Sequence, residues 1–173
     1  MNLPIAPSWF EKRRIDDDIS LIFEPHVVPL LRCNIWHVRG RDRDIVIDTG
    51  IGIQSLRDFA KDWLGKSVTA IATHVHVDHI GGHHEFEECL VHGLECRGLL
   101  QPSKTYNLAD TQFNPHDIAT LMLPPIEGYS LTGPMITALP YKGYDLSGFQ
   151  ILPAPGARTV VDGDMIDLGD RSF

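Results

Sequence analysis

The chain has 173 residues, the length of one domain on the usual scale of about 100–200 residues. A hydrophobic fraction of 43% suffices for a packed core and argues against a disordered chain. The net charge of −8, from 15 basic and 23 acidic residues with no basic run, argues against gripping nucleic acid or an anionic membrane surface.

In chain order, DISLIFEPHVV (18–28) and CNIWHVRG (33–40) read as strands, rich in β-branched and aromatic residues. The acidic Asp16–Asp18 cluster before them reads as a solvated turn. After the polar turn GRDRD (40–44), DIVIDTG (44–50) is a short apolar strand ending in Asp48, Thr49 and Gly50. The period then changes. Leu56, Phe59, Ala60, Trp63 and Leu64 fall on one helical face within 54–65, with Gly65 as its expected C-cap. SVTAIATH (67–74) is a second buried strand. HHEFEECL predicts a helical turn, LVHG a short strand and HGLECRGLL a helix. Asn114, Pro115 and Asp117 mark a helix start. From 123 to 158 the chain is dense in Pro and Gly and reads as long loops, often a lid or binding surface. Asp162–Gly163 predicts a hairpin turn between two short apolar strands. The alternation of strands and helices gives an α/β (α+β) class in one domain, 1–173.

The three cysteines, Cys33, Cys89 and Cys96, are odd in number and form no CxxC. They read as free thiols in a reducing compartment; they could be metal ligands but lack paired spacing. MNLPIAPSWFEKRR has no charged n-region leading into an apolar core, and no apolar run approaches the roughly 20 residues of a membrane span. A cytoplasmic location is expected.

The chemistry concentrates in THVHVDHIGG (73–82), with three histidines and one aspartate in six positions. His74 and His76, two apart on extended backbone, point the same way and can converge on one ion. Asp78 and His79 follow where the chain bends and can face a second ion. Val75 and Val77 alternate with the histidines toward the core, and Gly81–Gly82 permit a sharp turn. Zn²⁺ suits such nitrogen and carboxylate ligands, although iron or manganese would also fit.

At these residues the chain resembles the metallo-β-lactamase superfamily, whose signature is HxHxDH. Asp48 in VIDTG matches the acidic residue at the end of that family's preceding strand. NIWHVRG, VIDTGIGIQSL, ATHVHVDHIGG and DGDMIDLGDR resemble more closely one branch, the metallo-β-lactamase domain-containing protein 2 group. The resemblance implies an αββα sandwich, represented here by its N-terminal part, with the metal site at one edge of the two sheets. It implies hydrolysis of a small ester or thioester, acyl-CoA-like in that branch, by a metal-bound hydroxide. Two zinc ions are implied: His74 and His76 would bind the first, Asp78 and His79 the second. Asp78 would also handle a proton as the catalytic residue, and Asp48 would orient the ligand loop through a hydrogen bond.

That family pattern also needs a His in a Pro–Gly turn, a bridging Asp and a final His. No histidine follows His116, and none of His83, His84, His92 and His116 follows Pro–Gly. PAPGA (153–157) precedes the DGDMIDLGDRSF hairpin, whereas the family's His-bearing turn follows it. Asp164 and Asp170 belong to the hairpin and are not expected to bridge metals. The chain therefore reads as C-terminally incomplete, with weak zinc binding and slow or absent thioester hydrolysis expected of it alone. His83 and His84, just past the glycine pair, are expected as solvated residues at a helix start that could reach the mouth of the site, and His92 as structural or as a support behind the ligands; His26, His37 and His116 carry no motif. The alternative to a hydrolase is a non-catalytic metal-binding or interaction protein made from the first half of the fold. A nuclease of the same fold is disfavoured by the acidic balance.

Overall fold

The protein is described from a computed structural model covering residues 3–65, 67–103 and 135–173. Its strands are β1 (Glu11–Arg14), β2 (Ile19–Phe23), β3 (Ile35–Val38), β4 (Asp44–Ile47), β5 (Val68–Ala72), β6 (Glu88–His92) and β7 (Ala157–Val160). The α-helices are short: α1 (Leu56–Ala60), α2 (Val77–Ile80) and α3 (Cys96–Leu100). All seven strands form one sheet in sequence order. β1 to β4 are antiparallel, and β4 to β7 run parallel. The turn geometry of the first half and the helical crossovers of the second account for this split.

Alternation along the strands sorts side chains onto two faces. Ile22, Ile35, Val46, Ala70, Ala72, Cys89 and Val91 join Leu56, Val77, Ile80 and Leu99 of the helices in the main core. The opposite face carries a registered row, Leu21, Trp36, Ile47, Ile71 and Leu90, all half-buried. Part of that face is covered by Leu168, which packs with Val38 and Ile45. Among the described residues a second sheet is not formed. The residues past β7 instead close a tight hairpin in which the Ile166 amide donates to Phe173 and the Phe173 amide returns the bond, at 2.7 and 3.0 Å.

Most expected elements are present, with shifted ends. β2 stops at Phe23, because the 24–34 stretch contains Pro25 and Pro29 and takes a 3-10 turn at Pro29–Leu31. The exposed strand β1 was not anticipated; its four polar residues carry no strand pattern, and pairing with β2 creates it. The Asp16–Asp18 cluster is the exposed β1–β2 turn, with Asp16 accepting from the amides of Asp18 and Ile19. α1 begins at a capped Ser55 and ends at Ala60 with Lys61 as C-cap. Gly65 does not cap it. Its amide donates to Asp44 Oδ2 at 2.7 Å, so the carboxylate at the head of β4 draws the chain out of the helix.

The expected hairpin at Asp162–Gly163 also needs correction. A turn is there, with Gly163 at φ +91° and the Asp164 amide bonded to Val161. The preceding residues, however, pair parallel with β6 as β7. The hairpin lies around Gly169–Asp170, where Gly169 has φ +94°. The helix start expected at Asn114–Asp117 and the 123–134 part of the loop stretch lie outside the described residues. From 135 to 156 the backbone is irregular, with isolated bridges Val27↔Ile136 and Ile5↔Leu139 and one 3-10 turn at Leu146–Gly148, and the last two residues of the expected loop stretch begin β7. Its side chains nevertheless fill the core through Met135, Ile136, Ala138, Phe149 and Ile151.

Candidate metal centre

β4 and β5 are parallel neighbours, so their C-terminal ends lie side by side. β4 delivers Asp48 and β5 delivers Thr73 to His76, followed by α2. This is the edge of a parallel sheet where loops gather functional side chains. His74 and His76 lie on the extended stretch, and their ring centroids are 4.5 Å apart. The His74 and His79 rings are 4.0 Å apart. Asp78 is buried, and its Oδ2 lies 3.3 Å from His79 Nε2. The four residues named by the motif therefore share one corner of the fold.

Asp48 locks that corner from behind. It sits at φ +59°, a left-handed conformation that Asp tolerates better than most residues. Its carboxylate accepts from the Thr73 amide at 2.8 Å, from Thr73 Oγ1, and from His79 Nδ1 at 2.7 Å. Holding one imidazole nitrogen with a carboxylate fixes the ring and leaves the other nitrogen for a ligand. The next residue adds more. The Thr49 amide donates to His79 O at 2.8 Å, and Thr49 Oγ1 accepts from the Gly82 amide at 3.0 Å. On the other side, the Val75 amide donates to Glu95 Oε2 at 3.0 Å and fixes the backbone between His74 and His76.

Electrostatics follow from this packing. Burial lowers the His74 pKa, and the neighbouring His79 and His76 lower it further, which favours a neutral ring. For His79, half-burial works against the charged form. Hydrogen bonds to Asp48, Asp78 and Cys33 outweigh it and raise the pKa to about 12. A cation taking His79 must therefore displace a strongly held proton.

Two findings depart from the sequence reading. His83, expected in solvent, is fully buried; its Nδ1 is 2.7 Å from Thr49 Oγ1, and burial drives its pKa down to about 4. Cys33, read as an ordinary thiol, reaches the corner with its Sγ 3.6 Å from His79 Nδ1. Among the described residues, Cys33, Asp48 and His79 are the one group of three whose ligand atoms all lie within 4.8 Å of one another. His74, His76 and Asp78 do not enter a group of three at that spacing. No sequence spacing joins Cys33 to His79, 46 positions away. The Asp44-bonded His37 is likewise buried and distant from the motif in register, pairing opposite Val46. Asp164 and Asp170 stay in the turns: Asp164 accepts from the Val161 amide and Asp170 from the Arg41 amide.

A parallel-strand edge bearing HxHxDH, backed by an aspartate from the preceding strand, defines a metallo-hydrolase type of fold. The family model of the metallo-beta-lactamase superfamily matches residues 28–166, and the chain belongs to that superfamily. Over 97% of its length the chain is 33% identical to the acyl-coenzyme A thioesterase MBLAC2 of Gallus gallus. Over the same share it is 29% identical to that of Homo sapiens. It spans 57% of each of these curated relatives. Among solved structures it is similar in fold to the Rm3 metallo-beta-lactamase, with TM-score 0.55 and 14% identity over 93% of this chain and 49% of that one. MEM-A1, a subclass B3 metallo-beta-lactamase from a soil metagenome library, gives TM-score 0.54 and 17% identity over 94% and 50%. In fold, then, the chain is a mixed seven-stranded α+β unit of the metallo-beta-lactamase type.

Proposed function

We propose that this chain carries the His/Asp metal corner of a zinc-dependent hydrolase acting on acyl-CoA thioesters or related small esters. The observation that supports it best is the convergence of His74, His76, Asp78 and His79 at the end of β5, with Asp48 holding His79 Nδ1. Three imidazoles and a carboxylate are the donor chemistry that zinc takes, so the residues fit the ion. His74 and His76 would hold one ion, Asp78 and His79 a second. The Nε2 side of His79 is the ligand side, because Nδ1 is occupied by Asp48. A metal in the Cys33–Asp48–His79 triangle would break the bonds by which Asp48 holds Thr73 and His79. Zinc held there would supply a positive charge to polarise a carbonyl and to make a water acidic enough to attack near neutral pH. Asp78, whose Oδ2 is 3.3 Å from His79 Nε2, would take and return a proton. The acyl-CoA class comes from the activity in the names of the relatives. The unpaired Cys33, Cys89 and Cys96 fit a reducing, cytoplasmic setting.

The test is zinc content and release of free CoA thiol from an acyl-CoA, compared with His76→Ala. The expected result is slow hydrolysis above background that disappears, together with most of the bound zinc, in His76→Ala. Zinc that His76→Ala does not weaken would contradict the site. Zinc bound without any turnover would favour the non-catalytic metal-binding reading instead.

A further inference from the structure

Glu24 follows β2 and is 1% exposed, among apolar neighbours. An uncompensated carboxylate there is costly. Its oxygens are both used. Trp9 Nε1 donates to Oε1 at 2.9 Å, and the Ile51 amide donates to Oε2 at 2.8 Å. Neither partner is a cation, so the pairing does not work as an ion pair.

Ile51 lies in the turn that leaves β4. Within five residues that turn places Asp48, Gly50 and Gly52 at φ +59°, +74° and +80°. A run of left-handed residues holds only when the surroundings tether it. The tethers go to the histidine motif. Gly81 donates to Gly50 O at 2.8 Å, Thr49 donates to His79 O, and a Cβ on Gly52 would collide with Gly81. A Cβ on Gly50 would collide with Glu24 Oε2, so the carboxylate lies directly beneath the turn.

We infer that Glu24 is a positioning residue for the metal corner: through the Ile51 amide it fixes the Asp48–Gly52 turn, which in turn fixes Asp48 and the His79 ring. This rests on the reading of that corner as a metal site. An apolar residue of the same size would fill the space but leave the Ile51 amide and the Trp9 indole without acceptors. Glutamine can satisfy one of the two donors and turns its own N–H toward the other.

The experiment compares the whole 173-residue chain with Glu24→Gln and Trp9→Phe. It reads backbone amide exchange and zinc affinity in competition with a chelator. Glu24→Gln is expected to speed exchange at Ile51, Thr49 and Gly81 by at least about tenfold, with the β5 and β6 amides unchanged. Zinc affinity should fall by on the order of tenfold, the low end for residues behind a ligand. Trp9→Phe, the milder change, should show the same pattern at smaller size and keeps the test open if Glu24→Gln fails to fold. Wild-type exchange at all three amides, or a loss of protection spread evenly over the sheet, would overturn the inference. Zinc binding absent from the wild type would sink the metal reading alone, and the exchange pattern would still decide the role of Glu24.

Discussion

An aspartate at the start of β4 and another just past its end each pair with a histidine from a neighbouring element, and the two pairs differ in what the second ring nitrogen meets. At the start of the strand, Asp44 Oδ2 lies 2.9 Å from His37 Nε2 of β3, both groups are buried, and His37 Nδ1 has no hydrogen-bond partner among the described residues. At the end, His79 Nδ1 lies 2.7 Å from Asp48 Oδ2, and Nε2 faces Asp78 and the other imidazoles. The first pair is closed: Asp44 also accepts from the amides of Gly40 and Gly65, so it stitches three segments together. The second pair is open on one side and aims a nitrogen at a cluster. The same hydrogen bond therefore serves packing in one place and, in the proposed metal site, ligand orientation in the other. Neither residue type nor bond length tells them apart; the surroundings of the free nitrogen do.

The largest expected effect separates the two ends. Asp44→Ala should destabilise the chain by roughly 1–3 kcal/mol for each buried donor it leaves without an acceptor, while the folded fraction keeps its zinc affinity. Asp48→Ala should cost less stability and weaken zinc binding by on the order of 10–100-fold. Chemical denaturation and chelator competition on both variants give the two numbers. Equal loss of zinc affinity in the two would erase the distinction.

A smaller effect sharpens it through pH. Burial raises the Glu24 pKa to about 7 against the trends of its two hydrogen bonds. A carboxyl whose folded pKa is raised contributes stability that is full below its unfolded value and is lost as pH rises through about 7. His83 has the opposite sign: burial lowers it to about 4, so its contribution is present above the unfolded value and lost as pH falls toward about 4. Each contribution is about 3 kcal/mol at most. Glu24→Gln should therefore flatten the fall in stability between about pH 4.5 and 7, leaving the His83 loss on the acid side exposed. Denaturation midpoints across pH that do not differ between wild type and Glu24→Gln would contradict this.

Much of the corner was legible in the sequence because its signals are local. A period-two strand running into HVHVDH fixes where four polar side chains go, and Asp48 at the end of VIDTG announces the partner strand. What stayed hidden depends on distant contacts. Cys33 meets His79 only after β3 folds beside β4, and Glu24 meets Ile51 only after the turn closes. His83 sits in a polar run, yet the Gly81–Gly82 turn drives it inward onto Thr49. A short strand was expected before Asp162–Gly163, but as one arm of a hairpin; nothing local in Ala157–Val160, whose two central residues are exposed, signals its parallel pairing with β6. β1 is invisible for the same reason. Gly65 was read as a helix C-cap, whereas its amide is held by the distant Asp44 carboxylate.

The central claim is that the ion binds on the Nε2 side of His79, away from Cys33. Zinc-edge X-ray absorption on the purified, zinc-loaded chain tests it most directly. A shell of nitrogen and oxygen at about 2.0–2.2 Å with no sulfur is expected, unchanged in Cys33→Ser, with less zinc bound in His79→Ala. A sulfur shell at about 2.3 Å that disappears in Cys33→Ser would place the metal in the Cys33–Asp48–His79 triangle and contradict it.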